Sequence, residues 1–162
     1  MSDKLSDAMK NVADQLTQYI NLDYPLVEVT EVISTTSNIG RLFITGAQFA
    51  SQKRFELFLK GLNNGEEISE IQLVKLKDYV SNEKRAQFIC EQFDKVIRSN
   101  SVKASMMMGV ILHDTVNKNE DPSLQKLITI NALSQLYDED INNLEYIYER
   151  FFQGFRNKIT LY

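Results

Sequence analysis

From Asn82 to Gly154 apolar residues recur every three or four positions, in successive blocks separated by short polar breaks. In the first block Ala86, Ile89, Cys90, Phe93, Val96 and Ile97 share a stripe while Lys84, Arg85, Glu91, Asp94, Lys95 and Arg98 lie off it, which predicts an amphipathic helix. Asn82 suits its N-cap, and Glu83 suits the positive end of its dipole. Ser99-Asn100-Ser101 breaks the rhythm, and Ser101 can cap a second helix with Val102, Ser105, Met106, Gly109, Leu112 and Val116 on one face. Asp121 as N-cap with Pro122 at the first helical position predicts the next start, and Leu124, Leu127, Ile128, Asn131 and Leu136 carry the pattern on. Asp138 is expected to cap the last helix. Its apolar face is Ile141, Leu144, Ile147, Tyr148, Phe151 and Phe152, and Gly154 fits the left-handed position that often ends a helix.

Earlier in the chain, Leu5, Ala8, Met9, Val12, Leu16, Tyr19 and Ile20 define a first helix that stops near Pro25, whose preceding residue is pushed away from helical angles. A helix over about 39–62, ending at Asn63-Asn64-Gly65, and a short one over 69–80 with Ile71, Val74 and Tyr79 or Val80 inward follow. Leu26 to Ile33 is rich in β-branched residues and could form a strand, but no second convincing strand exists to pair with it. Residues 26–50 are therefore read as helical, with Gly46 and Ala50 as a small face for a neighbouring helix. The expectation is an all-α, single-domain bundle of six to seven helices. N-terminal helices occupy 1–62, a C-terminal helical module 66–154, and a tail 155–162.

Composition fits this picture. A chain of 162 residues can bury one sizeable core, and 43% hydrophobic with 25% charged residues is the balance of a folded domain rather than a disordered one. The net charge of −4 disfavours nonspecific attachment to nucleic acid or anionic lipid. Cys90, the lone cysteine, excludes an internal disulfide and a cysteine-based zinc site; on an apolar stripe it reads as a buried structural thiol. The N-terminus carries no secretory pattern, so the cytoplasm is expected. Glu28, Glu31, Arg41, Lys53 and Arg54 keep every window short of the ~18 to 20 apolar residues of a membrane span.

The search for chemistry comes back empty. His113 is the only histidine, and Asp114 beside it points about 100° away on a helix, so a satisfied or solvent-facing ring is expected rather than a catalytic base. Glu66, Glu67 and Glu70 read as charge that complements a helix dipole, not as metal ligands. Gly40 to Gly46 lacks the Lys-Ser or Lys-Thr of a phosphate loop. No catalytic, cofactor or metal site is assigned, and the chain is expected not to be an enzyme.

Binding is what remains. Met106, Met107 and Met108 cannot share one helix face, so at least one lies at the edge of the core or in an interface. Met107 and Met108, with Phe155, Ile159, Leu161 and Tyr162 of the tail, are the candidate partner contacts. The tail either folds back on the bundle or docks on a partner. Lys84, Arg85, Arg98 and Lys103 are candidate anion or nucleic-acid contacts, and the helix start at Ser99–Ser101 offers amides to a phosphate. Residues 102–112 are rich in Met and Val, however, where a recognition helix needs exposed polar side chains. The first reading is a non-enzymatic factor that binds another protein, with a homo-oligomer as one form. The alternative is a DNA-binding regulator using the basic residues between Lys84 and Lys103.

Three further features carry a resemblance: the run Phe58 to Leu62, Asn82-Glu83-Lys84 opening a helix that reaches Val96-Ile97-Arg98-Ser99, and Asn131 to Leu136 ahead of Asp138 and Asp140-Ile141. Over about 58–152 the chain resembles a loose group of uncharacterised helical proteins of bacteria and their phages. In similar proteins the preceding region is often apolar, glycine-rich and membrane-associated, whereas residues 26–50 here keep their charges. The resemblance implies a small accessory factor in phage–host conflict, in defence or counter-defence, that acts by binding. It carries over no catalytic residue.

Overall fold

A computed structural model describes residues 3–20 and 46–153. All regular structure among them is helical: α1 (Asp3–Thr17), α2 (Gly46–Leu62), α3 (Glu70–Tyr79), α4 (Glu83–Arg98), α5 (Val102–Lys118), α6 (Leu124–Gln135) and α7 (Asp138–Tyr148), then one π turn over Glu149–Gln153. The helices pack on one another as an all-α bundle. The expectations for residues 21–45, for the surroundings of Gly46 and Ala50, and for residues 154–162 lie outside the described residues.

Most boundaries follow from local capping. Asn82 Oδ1 accepts a hydrogen bond from Arg85 N at 2.9 Å, Ser101 Oγ from Ala104 N at 2.9 Å, and Ser69 Oγ from Gln72 N at 3.2 Å. The chain leaves α2 through Asn64 and Gly65, both at positive φ, and leaves α5 through Asn119 at φ 52°. Two caps differ from expectation, and each for a long-range reason. Ser123, not Asp121, caps α6, because the Asp121 carboxylate is held by Lys84 at 2.8 Å and Arg85 at 3.0 Å. Asp138 does not cap its own helix. The Tyr137 amide donates to Asp140 instead, while Asp138 Oδ1 accepts from Ser101 Oγ at 2.5 Å and Lys103 N at 3.1 Å. It therefore closes the start of α5 from outside, with its charge at the positive end of that helix.

The core is built around the crossing of α2 and α5, the most extensively packed pair. Two glycines permit it. A Cβ on Gly109 would stand 2.9 Å from Leu62 N and nearer still to the Phe58 carbonyl oxygen, and one on Gly61 would stand 3.1 Å from Gly109 Cα. Backbone thus meets backbone at this crossing, with Phe58, Leu62, Met108 and Leu112 fully buried beside it. Phe55 and Phe58 of α2 and Phe93 of α4 form an aromatic cluster with centroids 5.6 to 6.0 Å apart, a range where edge-on and offset rings attract. Helix α1 lays Ala8, Met9, Val12, Ala13 and Leu16 into the core and packs on α3, and Gln15 Nε2 donates to Val80 O at 2.9 Å. Helix α6 adds Ile130 and Leu133 and lies against α4 and α5.

One face is turned from its expected orientation. In α3 the buried residues are Gln72, Leu73, Leu76 and Tyr79, whereas Ile71 is 73% exposed and Val74 is also outside. Apolar residues at 71, 73, 74 and 76 leave so short a helix two usable faces, and the leucine face is the one that meets α1.

Candidate protein-contact surface

Helix α7 stands apart from the other six. Of its expected apolar face, Ile141, Leu144, Ile147, Tyr148, Phe151 and Phe152, only Ile141 is buried among the side chains described. Leu144 is 55% exposed, Tyr148 60% and Phe151 58%, and Ile147 and Tyr146 are open as well. The helix meets the bundle chiefly through α5, and by polar contacts as much as apolar ones. Besides the Asp138 cap, Lys103 Nζ donates to Asn142 Oδ1 at 2.5 Å and pairs with Glu145 at 3.2 Å. Burial works against the charge of Asp138, yet the hydrogen bonds from Ser101 and from the Lys103 and Val102 amides hold its carboxyl below the ordinary carboxylate range. One buried isoleucine and a charged tether therefore fix the rotation of α7 and leave the rest of its apolar stripe facing solvent.

On α5, Met107 and Val110 are exposed, one and two turns beyond Lys103 on a stripe that ends at Asp114. Of the three consecutive methionines, Met106 is half-buried, Met107 open and Met108 fully buried, so three positions meet three environments. Met107 thus stands where a partner could touch it, and Met108 belongs to the core. Phe155, Ile159, Leu161 and Tyr162 lie outside the described residues.

The four candidate cations are each engaged within the chain. Lys84 and Arg85 share Asp121, Arg98 pairs with Asp94 at 2.6 Å, and Lys103 is held by α7. Arg85 is a structural hub. Its guanidinium donates to Asn119 Oδ1 at 2.7 Å and Asn119 O at 2.9 Å and lies 4.6 Å from the centre of the Tyr79 ring, while Tyr79 Oη donates to Glu120 O at 3.1 Å. The fork joins the end of α3, the start of α4 and the turn between α5 and α6. Asn119 and Asp121 stand 34 and 36 residues away, so spacing along the chain gives no sign of them.

The remaining groups with chemical potential are occupied or muted. His113 Nδ1 lies 2.8 Å from Leu62 O, placing the ring against the last carbonyls of α2. Burial, with Glu91 nearby, pushes the Cys90 thiol up to about 12, far from the thiolate that reactive cysteines need. Hydrogen bonds from Lys118 and Lys126 hold Asp114 at about 2 and staple α5 to α6. Among the described residues no three His, Cys, Asp or Glu side chains gather to hold a metal, and no helix is long and apolar enough to cross a membrane. Gln92 was missed in the sequence: it is fully buried on α4 with neither end of its amide hydrogen-bonded. Comparison with protein-family models, with curated proteins and with solved structures finds no match.

Proposed function

We propose that the chain is a non-enzymatic protein-binding module whose contact surface is the exposed stripe of α7 with Met107 and Val110 of α5. The observation that carries this reading is α7 itself, a helix anchored by a charged tether that presents Leu144, Ile147 and Phe151 to solvent. Exposed apolar clusters rimmed by charge are the usual composition of protein interfaces, where aromatic side chains supply most of the binding energy. The engagement of Lys84, Arg85, Arg98 and Lys103 by the chain's own groups, together with the acidic balance, supports a protein partner over nucleic acid. The phage–host setting, a small factor that modulates another protein, rests on the resemblance over 58–152 alone.

The test is capture of partners from lysate by tagged chain, with and without nuclease, beside a Leu144→Glu variant. A partner that survives nuclease and is lost with Leu144→Glu supports the reading. Co-purification that disappears on nuclease treatment, with salt-sensitive binding weakened by removing Arg98 and Lys103, would replace it with the nucleic-acid alternative.

A further inference from the structure

We infer that α7 is a latched arm: it leaves the other six helices and melts as a unit while they stay folded, and the polar cluster of Asp138 and Lys103 sets how often it does so. The opening belongs to the chain alone and does not rest on the reading of α7 as a contact surface.

What holds α7 is small and polar. Ile141 is the one buried residue of its eleven, where α4 and α5 each bury seven. From Asn142 to Phe151 every residue is exposed. Packing of an apolar face is the main force that keeps a helix in a fold, and most of it is missing here. Polar contacts take its place. Asp138 Oδ1 accepts from Ser101 Oγ and Lys103 N, and Lys103 Nζ reaches Asn142 and Glu145. The Lys103 and Glu145 side chains are 46% and 60% exposed, so water competes for that pair.

Both sides of the break survive it. Leu136 and Tyr137, which join α6 to α7, have extended backbones, and the Leu136 amide closes α6 on Leu133 O at 3.2 Å. At the seat of the arm, Ser101 Oγ accepts from Ala104 N at 2.9 Å, so α5 keeps a cap of its own when Asp138 withdraws. The released segment does not hold itself. Isolated helices shorter than ~12–15 residues are marginal in water even when rich in alanine. Helix α7 has no alanine, and Asn142, Asn143, Tyr146, Ile147 and Tyr148 are weak helix formers. Undocking and melting therefore go together. The apolar surface of α7 exists only while the latch is closed, so changes at Asp138 or Lys103 act on any contact made there without altering Leu144 or Ile147.

The test is residue-resolved amide hydrogen exchange of the full chain by NMR, with urea added in steps below the unfolding transition. The amides of Ile141 to Tyr148 should share one opening constant, roughly a hundredfold or more above that of the α4 and α5 amides. It should rise far less steeply with urea, because the arm uncovers one isoleucine where global unfolding uncovers the whole core. Asp138→Ala should raise the α7 constant roughly tenfold and Lys103→Gln by about twofold to fivefold. Amides of α7 as slow as those of α5, with the same urea slope, would overturn the proposal, because the arm would then open only with the bundle. Values graded from Tyr148 back to Ile141 would overturn it as fraying, and an opening indifferent to both variants would remove the latch. No partner enters the measurement, so the contact surface stands or falls separately.

Discussion

Replacing Gly109 by alanine isolates the contact on which the bundle is built. On propensity alone the change is favourable, because alanine in a helix interior is better than glycine by about 1 kcal/mol. The structure opposes it. The added Cβ would meet Leu62 N at 2.9 Å and Phe58 O closer still, where ordinary contact begins at 3.4 Å. Both obstacles are backbone atoms, which no rotamer change can move. Helices α2 and α5 would have to part by about 1 Å, a gap that forfeits a quarter to a half of each dispersion contact across it. Overpacking of this kind costs about 1–3 kcal/mol, and the rigidity of the obstacle puts this site at the upper end. Less the propensity gain, the net loss is about 2 kcal/mol, a fall in melting temperature of about 4–8 °C for a domain of this size. Thermal and urea unfolding followed by circular dichroism measure it. Gly61→Ala should behave alike, and the double variant should lose less than the sum, since one parting accommodates both methyls. A midpoint unchanged or raised by Gly109→Ala would refute the close crossing.

Other sites give sharper local tests. Arg85→Lys keeps the charge but loses the fork that spans Asp121, Asn119 and the Tyr79 ring, and should cost about 1–2 kcal/mol in urea unfolding; a neutral result would mean the hub is dispensable. Gln92→Met removes a buried amide with no partner at nearly constant volume and should stabilise by about 1 kcal/mol. A loss of stability there would show that the amide is satisfied after all. Asp138 gives a pH dependence of defined sign. Its folded carboxyl titrates below the ordinary value, so its contribution is complete above about pH 4 and is lost as the pH falls through the lower folded value. The melting temperature of the parent should therefore fall below pH 4 more steeply than that of Asp138→Asn, and parallel curves would contradict the cap.

What could be read from the chain follows the range of the interactions involved. Helices α4 and α5 were legible because their caps, Asn82 and Ser101, act within three residues and their apolar stripes are continuous. Long-range partners were not. Asp121 and Asp138 each stand where a cap is expected, yet their carboxylates serve Lys84, Arg85, Ser101 and Lys103 elsewhere in the fold. Periodicity identified the apolar stripe of α7 but could not say that it stays outside. An amphipathic helix has the same pattern whether its apolar side meets its own core or another chain. Gly109 fell on a predicted inward face, but only the Phe58 carbonyl and Leu62 amide opposite it show why a side chain is excluded.

The most direct test of the central claim pairs stability with capture in one variant, Leu144→Glu with Ile147→Glu. Both side chains are exposed, so the melting temperature should stay close to that of the parent while the partner is lost. A variant that keeps its partner would contradict the contact surface. One that unfolds would show that the stripe belongs to the core.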